Sequence, residues 1–549
     1  MNHFARVSVL TCLLSISLGA ACGDDPTLSV DAGTVLPDAG PQSDAAADAG
    51  TPADLTVSTA QGSLHGKLSS GVRAFLGIPY GAPPVADQRW REPSPAPSWT
   101  GTREATAYGA SCAQNASGGM PSSAEDCLFL NVFTPELSPS APLPVMVWLH
   151  GGAYVFGSGG PPYQGDKLVQ NGNVIVVTVN YRLGSIGFFA HPALTAEAAQ
   201  RGKAPGNFGV LDQRLALQWV RDNIAAFGGD SSNVTLFGES AGANSICLHL
   251  MSEGSRGLFQ RAIIQSGLCM KPALTLKEAE TAGERYATAM GCTDPEHMLT
   301  CLRALSSSAI TAGPTTDVLT PGGVFYQEAG KSVYAPMVDG TVIKEQPEAA
   351  FAAGRIAHVP VLHGTNTNEG VLFHAGVFGD VAPKDMTEYE AALRMRFGDR
   401  APDVAARYPA MNLVPVTTDS IFRCPAVRMA SYLTAAGVPN YLYRFNLALE
   451  TPVPSLVGQA FHSADVPYVF GNNYSLGSVP ADRATAVQTV MAYWTRFAKA
   501  GDPNAPGAQT TWPAYDAQKP HLNLEVPFSV GQDWGADCDF WKDIPVAPL

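Results

Sequence analysis

Positive charge is scarce in this chain: 34 lysines and arginines face 48 aspartates and glutamates, for a formal net charge of −14. A nucleic-acid binder needs a basic face to meet phosphates, so that class is excluded at the outset. The ten cysteines show no zinc-type spacing, and the eleven histidines form no His-x-x-x-His or His-x-His cluster. A metal-dependent hydrolase would lack its ligand pattern, and neither a metal nor a cofactor is expected. There is no repeat of solenoid period, and no low-complexity segment marks a domain boundary after residue 55. The 549 residues, 46% hydrophobic, can bury one large core, and residues 55–549 are expected to form a single domain.

Long apolar runs are absent too. Behind Arg6, the run from Val7 to Leu18 is too short to span a bilayer and reads as an export segment over residues 1–22. The small residues ending in Ala20-Ala21-Cys22 resemble a bacterial lipobox, although Gly19 stands where leucine is usual and Leu18 lies one place earlier. Cys22 is the candidate lipidation site; plain secretion is the alternative, so the product is either a cell-envelope lipoprotein or a secreted protein. Any membrane contact would come only through that lipid. Residues 23–54 carry seven aspartates, no lysine or arginine, and three Asp-Ala-Gly repeats. So little apolar surface cannot offset the entropy of ordering, and the stretch reads as a disordered acidic tether. Setting aside Cys12 and Cys22 leaves eight cysteines, an even number bound for an oxidising compartment, which suggests four disulfides. Eight cysteines allow 105 pairings, and arithmetic does not choose among them.

The body opens with short strand-like pieces, Leu55 to Ser58, Ser63 to Lys67 and Val72 to Ile78, separated by glycines and predicting an antiparallel start. Unbroken apolar runs follow at Val145 to Leu149, Val174 to Val179, Val234 to Phe237, Ala262 to Ile264 and Val359 to Leu362. Strands apolar on both faces, with room for a helix between successive members, predict an α/β fold: a mostly parallel sheet covered on both sides. Helices are expected over Val210 to Phe227, with Leu211, Leu215, Leu217, Trp219 and Ile224 on its apolar face, and over Thr485 to Ala500.

Directly behind Val234 to Phe237 comes Gly238-Glu239-Ser240-Ala241-Gly242, the one Gly-x-Ser-x-Gly match in the chain. Glycines two residues either side of a serine let a strand pass into a helix through a tight turn and leave the hydroxyl at its tip. The segment from Ala241 to Met251 reads as that helix. A serine hydroxyl is a poor nucleophile until a base takes its proton, so a histidine and an acid that orients it are expected later in the chain.

Two further stretches, Glu125-Asp126-Cys127-Leu128-Phe129-Leu130-Asn131-Val132 and the run from Phe227-Gly228-Gly229 to Gly242, make the chain resemble the type-B carboxylesterase and cholinesterase family from about residue 55 to its end. The resemblance implies an α/β-hydrolase with an antiparallel N-terminal extension, acting as a serine carboxylesterase on small-molecule esters through an acyl-enzyme on Ser240. It implies that Glu369, in Gly364-Thr365-Asn366-Thr367-Asn368-Glu369-Gly370, is the orienting acid. His462, before Pro467-Tyr468-Val469-Phe470-Gly471, is the implied base, whereas His374 and His521 lack that context. His150-Gly151-Gly152-Ala153 resembles the family's oxyanion loop, so the amides of Gly152, Ala153 and Ala241 are the expected donors. Ala153 replaces the commoner glycine, which narrows the space beside the scissile carbonyl. Glu239 either favours the imidazolium form of His462 or partners a buried water, and Ser266 is expected to pack behind the site. Family pairings imply Cys112 with Cys127, Cys292 with Cys301 and Cys424 with Cys538, leaving Cys247 and Cys269 to pair.

A non-catalytic binding or adhesion protein on the same fold is the alternative, since the family includes members that have lost the nucleophile. Here Ser240 is present. Cholinesterases hold a quaternary ammonium against a tryptophan in the loop closed by the first disulfide. The stretch between Cys112 and Cys127 has no aromatic residue, so little preference for choline esters is expected.

Overall fold

A computed structural model describes residues 55–115, 121–313, 327–328, 331–332, 334–374, 382–504 and 510–544, all within one compact unit, Asp54–Leu549. The export segment, Cys22 and the acidic tether lie outside the described residues.

Its centre is an eleven-stranded sheet. In chain order the strands are β1 (Lys67–Ser69), β2 (Val72–Pro79), β3 (Phe129–Thr134), β4 (Leu143–Leu149), β5 (Ile175–Val179) and β6 (Gly229–Glu239). They continue with β7 (Arg261–Gln265), β8 (Val361–Asn366), β9 (Asn440–Phe445), β10 (Pro520–Leu524) and β11 (Ser529–Gln532). Across the sheet they run β11-β10-β9-β8-β7-β6-β4-β5-β3-β2-β1. The strands from β4 to β10 pair parallel, and the expected antiparallel start appears in β1–β2, β2–β3 and β3–β5. Residues Thr56–Ser58, Ser63–His65 and Thr102–Glu104 form a separate small sheet.

The period of two along β4 shows why this sheet lies inside. Val145, Val147 and Leu149 enter one core with Val177 and Leu236; Met146 and Trp148 enter the opposite core with Phe237 and Ile263. Both faces must therefore be covered, as for a buried parallel sheet. Helix α1 (Phe208–Asn223) and helix α2 (Ala241–Met251) supply residues to the first core, and helix α3 (Ala484–Ala500) supplies Val490, Met491, Trp494 and Phe497 to the second. All five apolar positions expected on the first helix are buried, although its last turn, Ile224–Phe227, is 3₁₀ and closes on Gly228 at φ 83°. Tightening the final turn pairs carbonyls that a continued α-helix end would leave open.

The expected strand at Val359 to Leu362 is shifted to β8, Val361–Asn366. Pro360 cannot donate to the ladder and delays its start; the polar residues His363, Thr365 and Asn366 continue it because every one is buried between neighbouring strands.

A fully buried ion pair ties α1 to the exit of β5. Arg182 donates to both carboxylate oxygens of Asp212 at 2.7 and 2.8 Å and to the Arg91 carbonyl at 2.9 Å. Removing one partner of such a pair costs about 3–5 kcal/mol, because the other charge is left buried. Four disulfides join Cys112–Cys127, Cys247–Cys269, Cys292–Cys301 and Cys424–Cys538.

Sheet order sets where a site can form. After β4 the chain goes to β5 on one side and later to β6 on the other, so a crevice opens at the carboxyl ends of these strands. His150 to Ala153 follow β4, Ser240 follows β6, Ser266 follows β7 and Glu369 lies just beyond β8.

Candidate active site

The turn at Ser240 is as tight as its glycines require. A Cβ on Gly242 would lie 1.9 Å from the Leu149 carbonyl oxygen and one on Gly238 would lie 2.6 Å from the same atom. Only hydrogens fit there, which lets β6 and α2 close on the end of β4. Ser240 itself has φ 54° and ψ −121°, a sparsely populated conformation for a residue with a side chain. Its amide donates to the Gln265 carbonyl at 2.9 Å, and its own carbonyl accepts from Asn244 at 2.8 Å, opening α2. Ser240 is partly exposed between buried Glu239 and buried Ala241.

The loop after β4 is just as constrained. Gly152 has φ 106°, and a Cβ there would sit 2.0 Å from the Phe156 carbonyl oxygen. Ala153 and Tyr154 follow in the left-handed region at φ 53° and 66°, which costs each about 1–2 kcal/mol. His150 holds the turn: its ring stacks on Tyr181 at 4.3 Å and Nδ1 donates to the Gly151 carbonyl at 2.8 Å. Burial pushes that imidazole down to about 4, so it is neutral at pH 7. The amides of Gly152, Ala153 and Ala241 donate to no acceptor among the described residues, and all three residues line one cavity with Ser240 and His462.

His462 Nδ1 donates to Glu369 Oε2 at 2.6 Å. The other carboxylate oxygen accepts from the Ser266 hydroxyl at 2.5 Å and from the Asn366 amide at 2.7 Å. Glu369 is thus a fully buried carboxylate with three donors around it. The imidazole packs against the stacked pair Phe373 and Phe422, with ring centroids 5.2 and 4.9 Å away. No hydrogen bond joins Ser240 Oγ to His462 among the described residues; His462 Nε2 instead lies 3.2 Å from Glu239 Oε1. Such hydrogen bonds are often loose in ligand-free sites and tighten once substrate is bound.

Glu239 is 2% exposed and accepts from the Ser463 hydroxyl at 2.6 Å. Its second oxygen lies where a Cβ on Gly151 would come within 2.5 Å, so that glycine makes room for the carboxylate. Burial pushes the Glu239 carboxyl up, and nearby Asp465 and Glu369 add to the rise. Burial would lower the His462 imidazolium, but Glu239 first and Glu369 second outweigh it and hold it above the ordinary histidine value. Of the two roles open to Glu239, the geometry shows the direct contact with His462.

His374 pairs with Thr417 at 2.8 Å and His521 packs near Trp534, and neither lines the cavity. Sequence reasoning passed over Asp465. This buried carboxylate accepts from Gln265 Nε2 at 2.7 Å, from Tyr443 at 3.3 Å and from Asn366 Nδ2 at 3.3 Å. Asn366 Nδ2 also donates to the Phe461 carbonyl at 2.7 Å, so the network fastens the end of β8 to the loop that carries His462. A charged residue three places after that histidine and next to the apolar run Val466–Phe470 was the available signal.

The cavity holds about 350 Å³ and is lined mainly by apolar side chains, among them Tyr154, Phe156, Leu248, Leu268, Leu372 and Phe373. That volume suits a small organic molecule. The constellation offers a hydroxyl at a strained turn, an imidazole steered by a carboxylate and three unpaired amides, which are the parts acyl transfer requires.

The comparisons agree with that chemistry. The model of the carboxylesterase family matches residues 53–541. The chain is 37% identical to the para-nitrobenzyl esterase of Bacillus subtilis (strain 168), covering 87% of this chain and 96% of that one. It is 32% identical to the liver carboxylesterase of Sus scrofa, over 90% and 94%, and 34% identical to the fumonisin B1 esterase of Sphingopyxis macrogoltabida, over 88% of each. A solved structure of a PNB esterase superposes with a TM-score of 0.76 at 35% identity, covering 88% of this chain and 98% of that one. A sheet with helices on both faces, a serine at the turn after β6 and relatives of matching length together place the chain in the carboxylesterase family, as a serine carboxylesterase on the α/β-hydrolase fold.

Proposed function

We propose that Ser240 is the nucleophile, His462 its general base and Glu369 the acid that orients the imidazole. Ser240 Oγ attacks the ester carbonyl while His462 Nε2 takes its proton, and the oxyanion is held by the amides of Gly152, Ala153 and Ala241. The intermediate collapses to an acyl-enzyme and an alcohol, which leaves with the proton from His462. Water, activated by the same imidazole, then releases the acid and regenerates Ser240. The observation that carries this reading is the 2.6 Å bond from His462 to Glu369 in a cavity that Ser240 and the three unpaired amides also line. A fluorophosphonate is expected to add one phosphonyl group per chain and abolish turnover of 4-nitrophenyl butyrate. Peptide mass mapping of the adduct to any residue other than Ser240 would refute the assignment.

Glu239 gives this site a pH signature. Attack needs neutral His462, and the raised imidazolium value means that its neutral fraction grows as pH climbs past the ordinary histidine range. For an uncharged ester, kcat/KM should therefore rise with pH and level off only on the alkaline side. Glu239→Gln keeps an acceptor for Ser463 but removes the charge, so the rising limb should move to lower pH while the plateau falls by roughly tenfold, because the imidazolium formed during attack loses a partner. Paired pH–rate profiles check this, and a limb that stays in place would contradict it.

The substrates we infer are small uncharged esters rather than choline esters, a reading supported by the missing aromatic residues between Cys112 and Cys127 and by the apolar cavity. We further propose export guided by residues 1–22, with Cys22 lipidated and residues 23–54 spacing the enzyme from the envelope. Small residues before Cys22 and the aspartate-rich sequence after it support that reading.

A further inference from the structure

The residue directly after His462 is a serine where the backbone would sit more easily with a glycine. Ser463 has φ 73°, in the left-handed region that disfavours a side chain, and it is buried while lining the cavity beside His462. What that side chain carries is one hydroxyl, which donates to Glu239 Oε1 at 2.6 Å.

The loop is held by other means. Asn366 Nδ2 donates to the Phe461 carbonyl at 2.7 Å on one side of His462, and Gln265 Nε2 donates to Asp465 at 2.7 Å on the other. The Ser463 carbonyl accepts from the Val466 amide at 3.2 Å, a bond that any residue at this position makes. None of these contacts uses the serine hydroxyl.

The oxygen that Ser463 meets is also the one that faces the base, since Glu239 Oε1 lies 3.2 Å from His462 Nε2. One hydroxyl thus fixes the rotation of the carboxylate and sets its charge beside the nitrogen assigned to take the proton from Ser240. Burial raises the Glu239 carboxyl, and His462 and the Ser463 hydroxyl oppose that rise. Behind Ser463 stands Tyr474, which meets the side chains of both Ser463 and Tyr163. With its proton committed to Glu239, the Ser463 oxygen is left to accept, and a phenol is a donor that suits it.

We propose that Ser463 is a positioning residue for ester hydrolysis, its hydroxyl holding the Glu239 carboxylate against His462 Nε2 so that the imidazolium formed during attack meets a charge already in place. The inference rests on the reading of His462 as the base for Ser240, and it adds a residue that acts through Glu239.

The test separates the hydroxyl from the backbone. Ser463→Gly and Ser463→Ala both remove the hydroxyl, but only glycine relaxes the left-handed conformation, so the glycine variant should melt at the higher temperature. Their activities should nevertheless match: kcat for 4-nitrophenyl butyrate falls roughly threefold to tenfold in both, with KM within about twofold of the unaltered protein. In a Glu239→Gln background, where no charge remains to be positioned, Ser463→Gly should change kcat by less than about twofold. Unchanged kcat in Ser463→Gly overturns the role of Ser463, as does activity that follows Tm across the two variants, or an equal loss in both backgrounds. Turnover that survives His462→Ala or Ser240→Ala overturns the reading of the base and nucleophile, and this inference with it.

Discussion

Ser240→Ala is expected to lower kcat/KM for a 4-nitrophenyl ester by roughly a million-fold, with Tm left almost unchanged. The side chain contributes nothing visible to stability: among the described residues Ser240 Oγ has no hydrogen-bond partner. What holds the turn is the Ser240 amide on the Gln265 carbonyl, together with the two glycines that close on Leu149, and alanine preserves both. The left-handed backbone strains alanine as much as serine. The three unpaired amides would remain, so a residual rate about 10³-fold to 10⁴-fold above the uncatalysed reaction should persist. Ester assays alongside a thermal melt check both halves. A variant that keeps a tenth of the activity would rule out Ser240 as nucleophile, and a variant that loses activity because it has unfolded would show in the melt.

Glu369→Gln should cost about 10⁴-fold in kcat for a reason specific to its three donors. A carboxylate accepts at both oxygens, from His462 Nδ1 on one side and from Asn366 N and Ser266 Oγ on the other. Glutamine has a single oxygen. The Asn366 amide cannot rotate or become an acceptor, whereas the Ser266 hydroxyl can, so the glutamine oxygen stays with Asn366 and its NH₂ faces His462. Nδ1 must then accept, the ring proton moves to Nε2, and the nitrogen that should deprotonate Ser240 no longer has a free lone pair. Activity within tenfold of the unaltered protein, measured from pH 7 to 9, would refute the assignment of Glu369.

How much of this could be read before folding differs from one element to the next. The apolar strands β4 to β7 were legible because burial on both faces leaves an unbroken hydrophobic run. Strands β9 and β10, and the polar half of β8, were not, since Arg444, Asn523 and Asn366 interrupt the pattern and only their neighbours in the sheet explain them. At the site, Ser240 announces itself through glycines two residues away, because its requirement is local backbone geometry. Asp465 has no such backbone signature, only a charge beside the apolar run Val466–Phe470.

The sequence by itself determined the tight turn, the glycine loop after β4 and the kinds of side chain available, because each depends on backbone freedom or alternation within a few residues. Only tertiary structure decided which charges meet. Glu239 reaches His462 and Ser463, Ser266 reaches Glu369, and Asp465 reaches Gln265, across separations of roughly a hundred to more than two hundred residues. Such contacts follow from strand order and register, which place the ends of β6, β7 and β8 side by side, and no local pattern along the chain encodes that adjacency.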